Sequence, residues 1–152
     1  MRLSAFIEGQ LDALVEEWER FARTILPAAE SMSGLALRDH CRSMLSAIAT
    51  DIESDESEFG GAATAKGLVF VRRSPQTAAA LHGAFRQISG FTTGQMVSEF
   101  VALRASVLAL WRDAEGTRDR KIAIEEITRF NAAIDQAICE SVSAYERGSQ
   151  TK

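Results

Sequence analysis

The chain has 152 residues, 46% of them hydrophobic and 25% charged, which is one domain's length with an ordinary globular balance. Two cysteines exclude a disulfide scaffold. The longest runs without Asp, Glu, Lys or Arg are residues 74–85 and 87–98, well short of the roughly 20 apolar residues of a spanning helix. Seventeen basic residues meet twenty-one acidic ones, for a net charge of −4 and no basic stripe. That argues against a nucleic-acid partner, because phosphate binding needs concentrated positive charge. Glu8 interrupts the apolar N-terminus, so no signal peptide is expected and the expected compartment is the cytoplasm.

Only Pro27 and Pro75 break the chain, and the segments between them carry helical periodicity. The first helix is expected over 3–26, where Ile7, Leu11, Leu14, Val15, Trp18, Phe21 and Ile25 recur at steps of three and four. A second is expected over 35–52, with Leu37, Cys41, Met44, Leu45, Ile48 and Ile52 inward and Ser33 as N-cap. The pattern then stops. Asp51, Glu53, Asp55, Glu56 and Glu58 lead into Gly60-Gly61, so 53–66 reads as a flexible acidic loop. Leu68–Val71 is a short apolar run beyond it, read as an extended piece over the core or an interaction patch.

Ser74-Pro75 has the pattern of an N-cap followed by proline at the first helical position. The third helix is expected over 75–89, with Leu81, Ala84, Phe85 and Ile88 inward and Gly90 as its stop. Thr92 and Gln95 have capping-box spacing before a fourth helix over 93–114. Its stripe of Met96, Val97, Phe100, Leu103, Val107, Leu110 and Trp111 makes it central. The fifth helix is expected over 117–147. About thirty residues at 1.5 Å each give roughly 45 Å, more than a compact domain covers. Ile124, Ile127, Phe130, Ile134, Ala137, Ile138, Ser141, Val142 and Tyr145 are its expected inward positions, and from 127 onward they approximate an a/d seam.

No chemistry-bearing motif stands out. His40 and His82 are the only histidines, and no metal-ligand spacing, P-loop or nucleophile elbow is present. Neither a metal site nor catalysis is expected. The polar residues set among apolar neighbours are His40, His82, Glu99 and Arg104. One reading makes them half-buried ties between helices. Another makes them a small-ligand or proton-sensing pocket. A third gives one histidine to haem in a globin-like shell. Cys41 and Cys139 read as small buried hydrophobes.

Two stretches carry a resemblance. They are Val97-Ser-Glu-Phe-Val-Ala-Leu-Arg-Ala-Ser-Val-Leu-Ala-Leu-Trp111 and the helix from Ile124 to Tyr145. With the Trp18 region, Leu37-Arg-Asp-His40 and Thr77 to Gly83, they resemble the RsbRD-type N-terminal domain found at the front of soluble bacterial sensor histidine kinases. The resemblance spans roughly residues 2–146. It implies an all-α, globin-like or bundle-like regulatory domain that dimerises and feeds its last helix into the kinase. It also implies that His40, His82, Glu99, Arg104 and Trp111 occupy the family's recurrent polar and aromatic positions. The phosphoacceptor context and ATP-binding glycine boxes of the kinase are absent from these 152 residues.

The expectation is therefore one all-α, five-helix sensory domain over 1–152 of a two-component system, not an enzyme. No cofactor is expected, with haem as the alternative. It would pair as a homodimer through the C-terminal helix, along Ile127, Ile134, Ile138, Val142 and Tyr145. The downstream kinase core would be its other partner. The rival readings are a haem- or small-ligand-binding globin-like sensor and a stand-alone helical scaffold.

Overall fold

The computed structural model describes residues 2–25, 34–54, 77–115 and 119–150. Among the described residues the chain is all-α, with six helices: α1 (Leu3–Gly9), α2 (Leu11–Ala22), α3 (Gly34–Ser54), α4 (Ala78–Ile88), α5 (Thr93–Glu115) and α6 (Arg120–Gln150). The acidic loop beyond Ser54, the Leu68–Val71 run, Ser74-Pro75, Pro27, Ser33 and Gly116 lie outside the described residues.

The first predicted helix is two helices. Gln10, at φ −117° and ψ 21°, ends α1 and precedes α2, with Gly9 weakening the same point. The break lets both apolar stripes reach the core, Leu3, Phe6 and Ile7 from α1 and Leu14, Val15 and Trp18 from α2. No side chain of its own caps α1. Buried Glu126 of α6 does so from across the fold, accepting from Leu3 N at 2.9 Å and Arg2 Nε at 3.3 Å. A carboxylate there meets both the unpaired amides and the positive end of the helix.

Local signals set the ends of α4 and α5. Thr77 caps α4 by accepting from Ala80 N at 3.2 Å. Gly90, at φ +89°, stops it. Gly90 N donates to Gln87 O and Phe91 N to Arg86 O, which is a Schellman motif and requires a residue at ease with positive φ. The expected capping box opens α5, with Thr92 N on Gln95 Oε1 at 2.9 Å and Gln95 N on Thr92 Oγ1 at 3.1 Å.

Trp18, Cys41, Leu45, Ile52, Phe100, Leu103, Val107, Trp111, Phe130 and Ile134 belong to one continuous core that α5 runs through. The long helix α6 rises about 46 Å and is covered over more of its length than expected, from Glu126 to Gly148. Ile124, expected inward, is exposed with Ile122, since both precede the point at Glu126 where α6 meets α1.

Helix α4 turns opposite to expectation. Leu81, Phe85 and Ile88 face outward at 46%, 43% and 71% exposure, while His82, Gly83, Arg86 and Gln87 are buried. The cause is the fit against α6, the helix with which α4 makes its most extensive contact. A Cβ at Gly83 would lie 2.0 Å from the Ser141 carbonyl oxygen, so the two backbones touch there. Ser141 Oγ donates to Ala79 O at 2.5 Å. Only a glycine fits where Gly83 meets Ser141, and this closest approach sets the rotation of α4 that leaves Leu81, Phe85 and Ile88 outside.

Candidate functional site

The face that α4 turns inward carries the one sealed charge cluster among the described residues. Arg86 of α4 donates twice to Glu99 of α5, Nε to Oε1 at 2.8 Å and Nη2 to Oε2 at 3.0 Å. Both side chains are wholly buried. This two-pronged pairing is the geometry that makes a guanidinium suited to an enclosed carboxylate. The guanidinium carbon also lies 5.2 Å from the Trp18 ring centroid and 5.0 Å from that of Phe91, so two aromatic faces cover the rest of its charge. The turn after α4 supplies Phe91, whose carbonyl accepts from Tyr145 Oη at 2.5 Å.

His82, one turn earlier on α4, is the third member. Its Nε2 lies 3.3 Å from Glu99 Oε1. Neither ring nitrogen makes a hydrogen bond among the described residues. The ring packs edge-on to Phe100, with centroids 5.4 Å apart, and tilted against Trp18 at 5.8 Å. Cys41 of α3 is buried close enough to feel Glu99 and Arg86. Burial first, and Glu99 next, push its thiol far above the ordinary range, so it is a packed thiol.

The charge states follow from the surroundings. Burial pushes the His82 pKa down, and Arg86 adds to this while Glu99 opposes it; the imidazole is neutral. Burial alone would raise Glu99, but His82 and Arg86 outweigh it and hold the carboxyl below its usual range. The cluster is thus one cation, one anion and one neutral imidazole. Acidification threatens it through His82 first. The unfolded chain takes up that proton near pH 6.5 while the folded chain refuses it. Stability should therefore fall as pH drops below about 6.5, by up to about 1.4 kcal/mol per pH unit for one proton. Urea midpoints at pH 7.5, 6.5 and 5.5 measure this slope, and His82→Phe should flatten it. An unchanged slope would show that His82 titrates freely in the fold.

Of the five residues expected at a pocket, the fold brings His82 and Glu99 together. His40 is half-buried and stacks on Phe85, with ring centroids 4.7 Å apart. Arg104 ties α5 to α6 by donating to Asp135 at 2.8 Å. Trp111 is buried in the core. Along α6, Ile134 is fully enclosed by its own chain, and Ile127, Ile138, Val142 and Tyr145 pack half-buried against the core. Arg86, Trp18 and Phe91 were not among the expected site residues. The signal for Arg86 lay in the charge-free runs on either side of it, since Arg86 and Glu99 are the only formal charges between Ser74 and Leu103.

Cavities among the described residues lie elsewhere. A surface groove of about 630 Å³ between α2 and α3 is lined by Arg20, Arg23, Arg38 and Arg42 with Asp12, Glu16 and Glu19. Its arginines are paired to those acids, for example Arg38 to Glu19 at 2.8 Å and Arg42 to Asp12 at 2.6 Å. A smaller hollow of about 190 Å³ lies between α3, α4 and α6, around Met44, Ala78 and Glu140. None of the five expected pocket residues lines either one. Among the described residues no helix is long and apolar enough to cross a membrane, and no cluster of His, Cys, Asp and Glu suits a metal ion. No protein-family model, curated protein or solved structure matches the chain.

Proposed function

We propose that the chain is the sensory and dimerising domain of a cytoplasmic two-component histidine kinase, with the signal leaving through α6. One observation carries this reading: the helix that holds two of the three cluster residues is also the one seated backbone to backbone on α6. Anything that repacks His82, Arg86 and Glu99 displaces α4. The contact at Gly83 and Ser141 leaves no slack, so α6 must follow. Packed elements of this kind shift between discrete arrangements rather than deform smoothly. A 31-residue helix is suited to carry such a slide or rotation out of the domain. The reading is regulatory because the cluster's charges are spent on one another rather than aimed at a substrate. The sequence resemblance to kinase sensory domains supports it. In this reading the homodimer forms through the C-terminal helix, and the kinase core downstream reads the shift.

Two measurements test it. The purified chain is first examined by light scattering and absorbance. A colourless dimer is expected, whereas a Soret band lost in His40→Ala or His82→Ala would replace the reading with a haem sensor. The chain is then joined in frame, after α6, to the dimerisation and ATP-binding parts of a soluble histidine kinase. Glu99→Gln should change autophosphorylation at least threefold relative to the unaltered chimaera. A rate indifferent to Glu99→Gln and to Gly83→Ala would overturn the signalling role.

A further inference from the structure

We infer that His82 is the trigger of an acid-sensitive switch: a proton on its sealed imidazole opens the Arg86–Glu99 cluster and moves α4, carrying α6 with it. This rests on the signalling reading above and names the regulation of that same cluster. The side chains of His82 and Glu99 are both wholly enclosed, with Nε2 3.3 Å from Glu99 Oε1. That oxygen is already engaged, since it accepts from Arg86 Nε at 2.8 Å. The other ring nitrogen, Nδ1, has no hydrogen-bond partner among the described residues. A core normally pairs its polar groups, so an imidazole left in this state beside a carboxylate calls for a reason. Readiness to take a proton is such a reason, because histidine is the side chain that changes charge near neutral pH.

Charge supplies the mechanism. The charges that act on His82 are Arg86 of its own helix and Glu99 of α5. Helix α2 faces it with the uncharged Trp18 ring, and α3 brings the Cys41 thiol, held protonated. From α6 comes Ser141, whose hydroxyl is spent on Ala79 O. A proton on His82 sets two cations, one turn apart on α4, against one carboxylate of α5. The sealed cluster then goes from neutral to a net charge of +1, which an enclosed core holds only at high cost. The proton is therefore taken up in an arrangement that lets solvent in, and acid selects that arrangement. Both cations sit on α4 and the anion on α5, so parting these two helices exposes all three. Helix α4 touches α5 much less than it touches α6. It is tied to α6 at Ala79 and Gly83 through Ser141 and, just past its end, at Phe91 through Tyr145. When the cluster opens, α4 and α6 move together.

Cys41, wholly buried and close to the cluster, reports the opening in the whole chain. With Cys139→Ser removing the other thiol, the reaction of Cys41 with iodoacetamide is timed against that of free cysteine at the same pH. A histidine that titrates near 6.5 once open raises the open population about tenfold between pH 7.5 and 5.5. The relative rate should rise by that factor, with helical circular dichroism unchanged, and should outpace the global unfolding measured in urea. His82→Gln should abolish the rise, while His40→Gln, which removes the other histidine, should leave it. A flat rate, an equal rise in His82→Gln, or a rise no faster than global unfolding overturns the switch. Should His82→Gln fail to fold, ring NMR of the parent decides. His82 must gain its proton as Cys41 opens, and a proton gained while Cys41 stays closed overturns the switch. In the kinase chimaera, the step from pH 7.5 to 5.5 should change autophosphorylation at least about threefold more than in the His82→Gln chimaera. A chimaera that answers Glu99→Gln but lacks this pH response overturns the switch and leaves the signalling role standing. One that answers neither overturns both.

Discussion

Arg86→Met is expected to lower the unfolding free energy by about 3–5 kcal/mol, the usual cost of removing one partner from a buried ion pair. Methionine fits the space, so the loss is electrostatic. Glu99 keeps its place, its side chain wholly buried and its cation gone, and either stays charged at high cost or takes a proton. In the second case the protonation of Glu99 becomes visible as a new pH dependence, shifted upward because Arg86 no longer opposes the effect of burial. The double variant Arg86→Met/Glu99→Met should recover most of the loss, because two matched apolar chains serve about as well as a buried pair. Urea unfolding of the three proteins closes a double-mutant cycle. A loss under about 1 kcal/mol for Arg86→Met would mean that the pair behaves like a surface bridge.

Gly83→Ala is the second large effect. The added methyl would sit 2.0 Å from the Ser141 carbonyl oxygen, with the Ser141 carbonyl carbon and Cα at 2.7 and 2.8 Å. All three are backbone atoms, so no side chain can swing away. Helix α4 must move off α6, which breaks the Ser141 to Ala79 hydrogen bond. Overpacking of this kind costs about 3 kcal/mol, partly offset by the roughly 1 kcal/mol that alanine gains over glycine inside a helix. Gly9→Ala is the control. Nothing lies within 4 Å of a Cβ there, so the same substitution should be neutral or slightly stabilising. Thermal unfolding of both variants gives the comparison, and equal melting temperatures would show that the α4–α6 seam yields.

Much of the fold was legible because it rests on local rules. The stripes of α2, α3 and α5, the Thr92–Gln95 box and the stop at Gly90 depend on spacing and on glycine's backbone freedom, both visible in the chain. The orientation of α4 was not. The rule that apolar residues face inward assumes that the inner neighbour has room for them, and Gly83 against Ser141 shows that α6 leaves none. His82 and Glu99 were identified because they interrupt apolar surroundings. Arg86 was missed because a charge on a helix is read as solvent-facing. The observation that overrides this rule is opposite sign and isolation, since Arg86 and Glu99 stand alone over thirty residues. The break at Gln10 was hidden because apolar steps of three and four continue across it.

The cap on α1 has a consequence for how the protein is made. Leu3 and Glu126 are 123 residues apart. A seven-residue helix cannot persist alone in water. At 5–20 residues per second the ribosome takes roughly 6–25 s to reach the residue that caps the first helix. Until then Leu3, Phe6 and Ile7 have no finished core to join. Helix α1 is synthesised before the other five described helices and is among the last of them to settle.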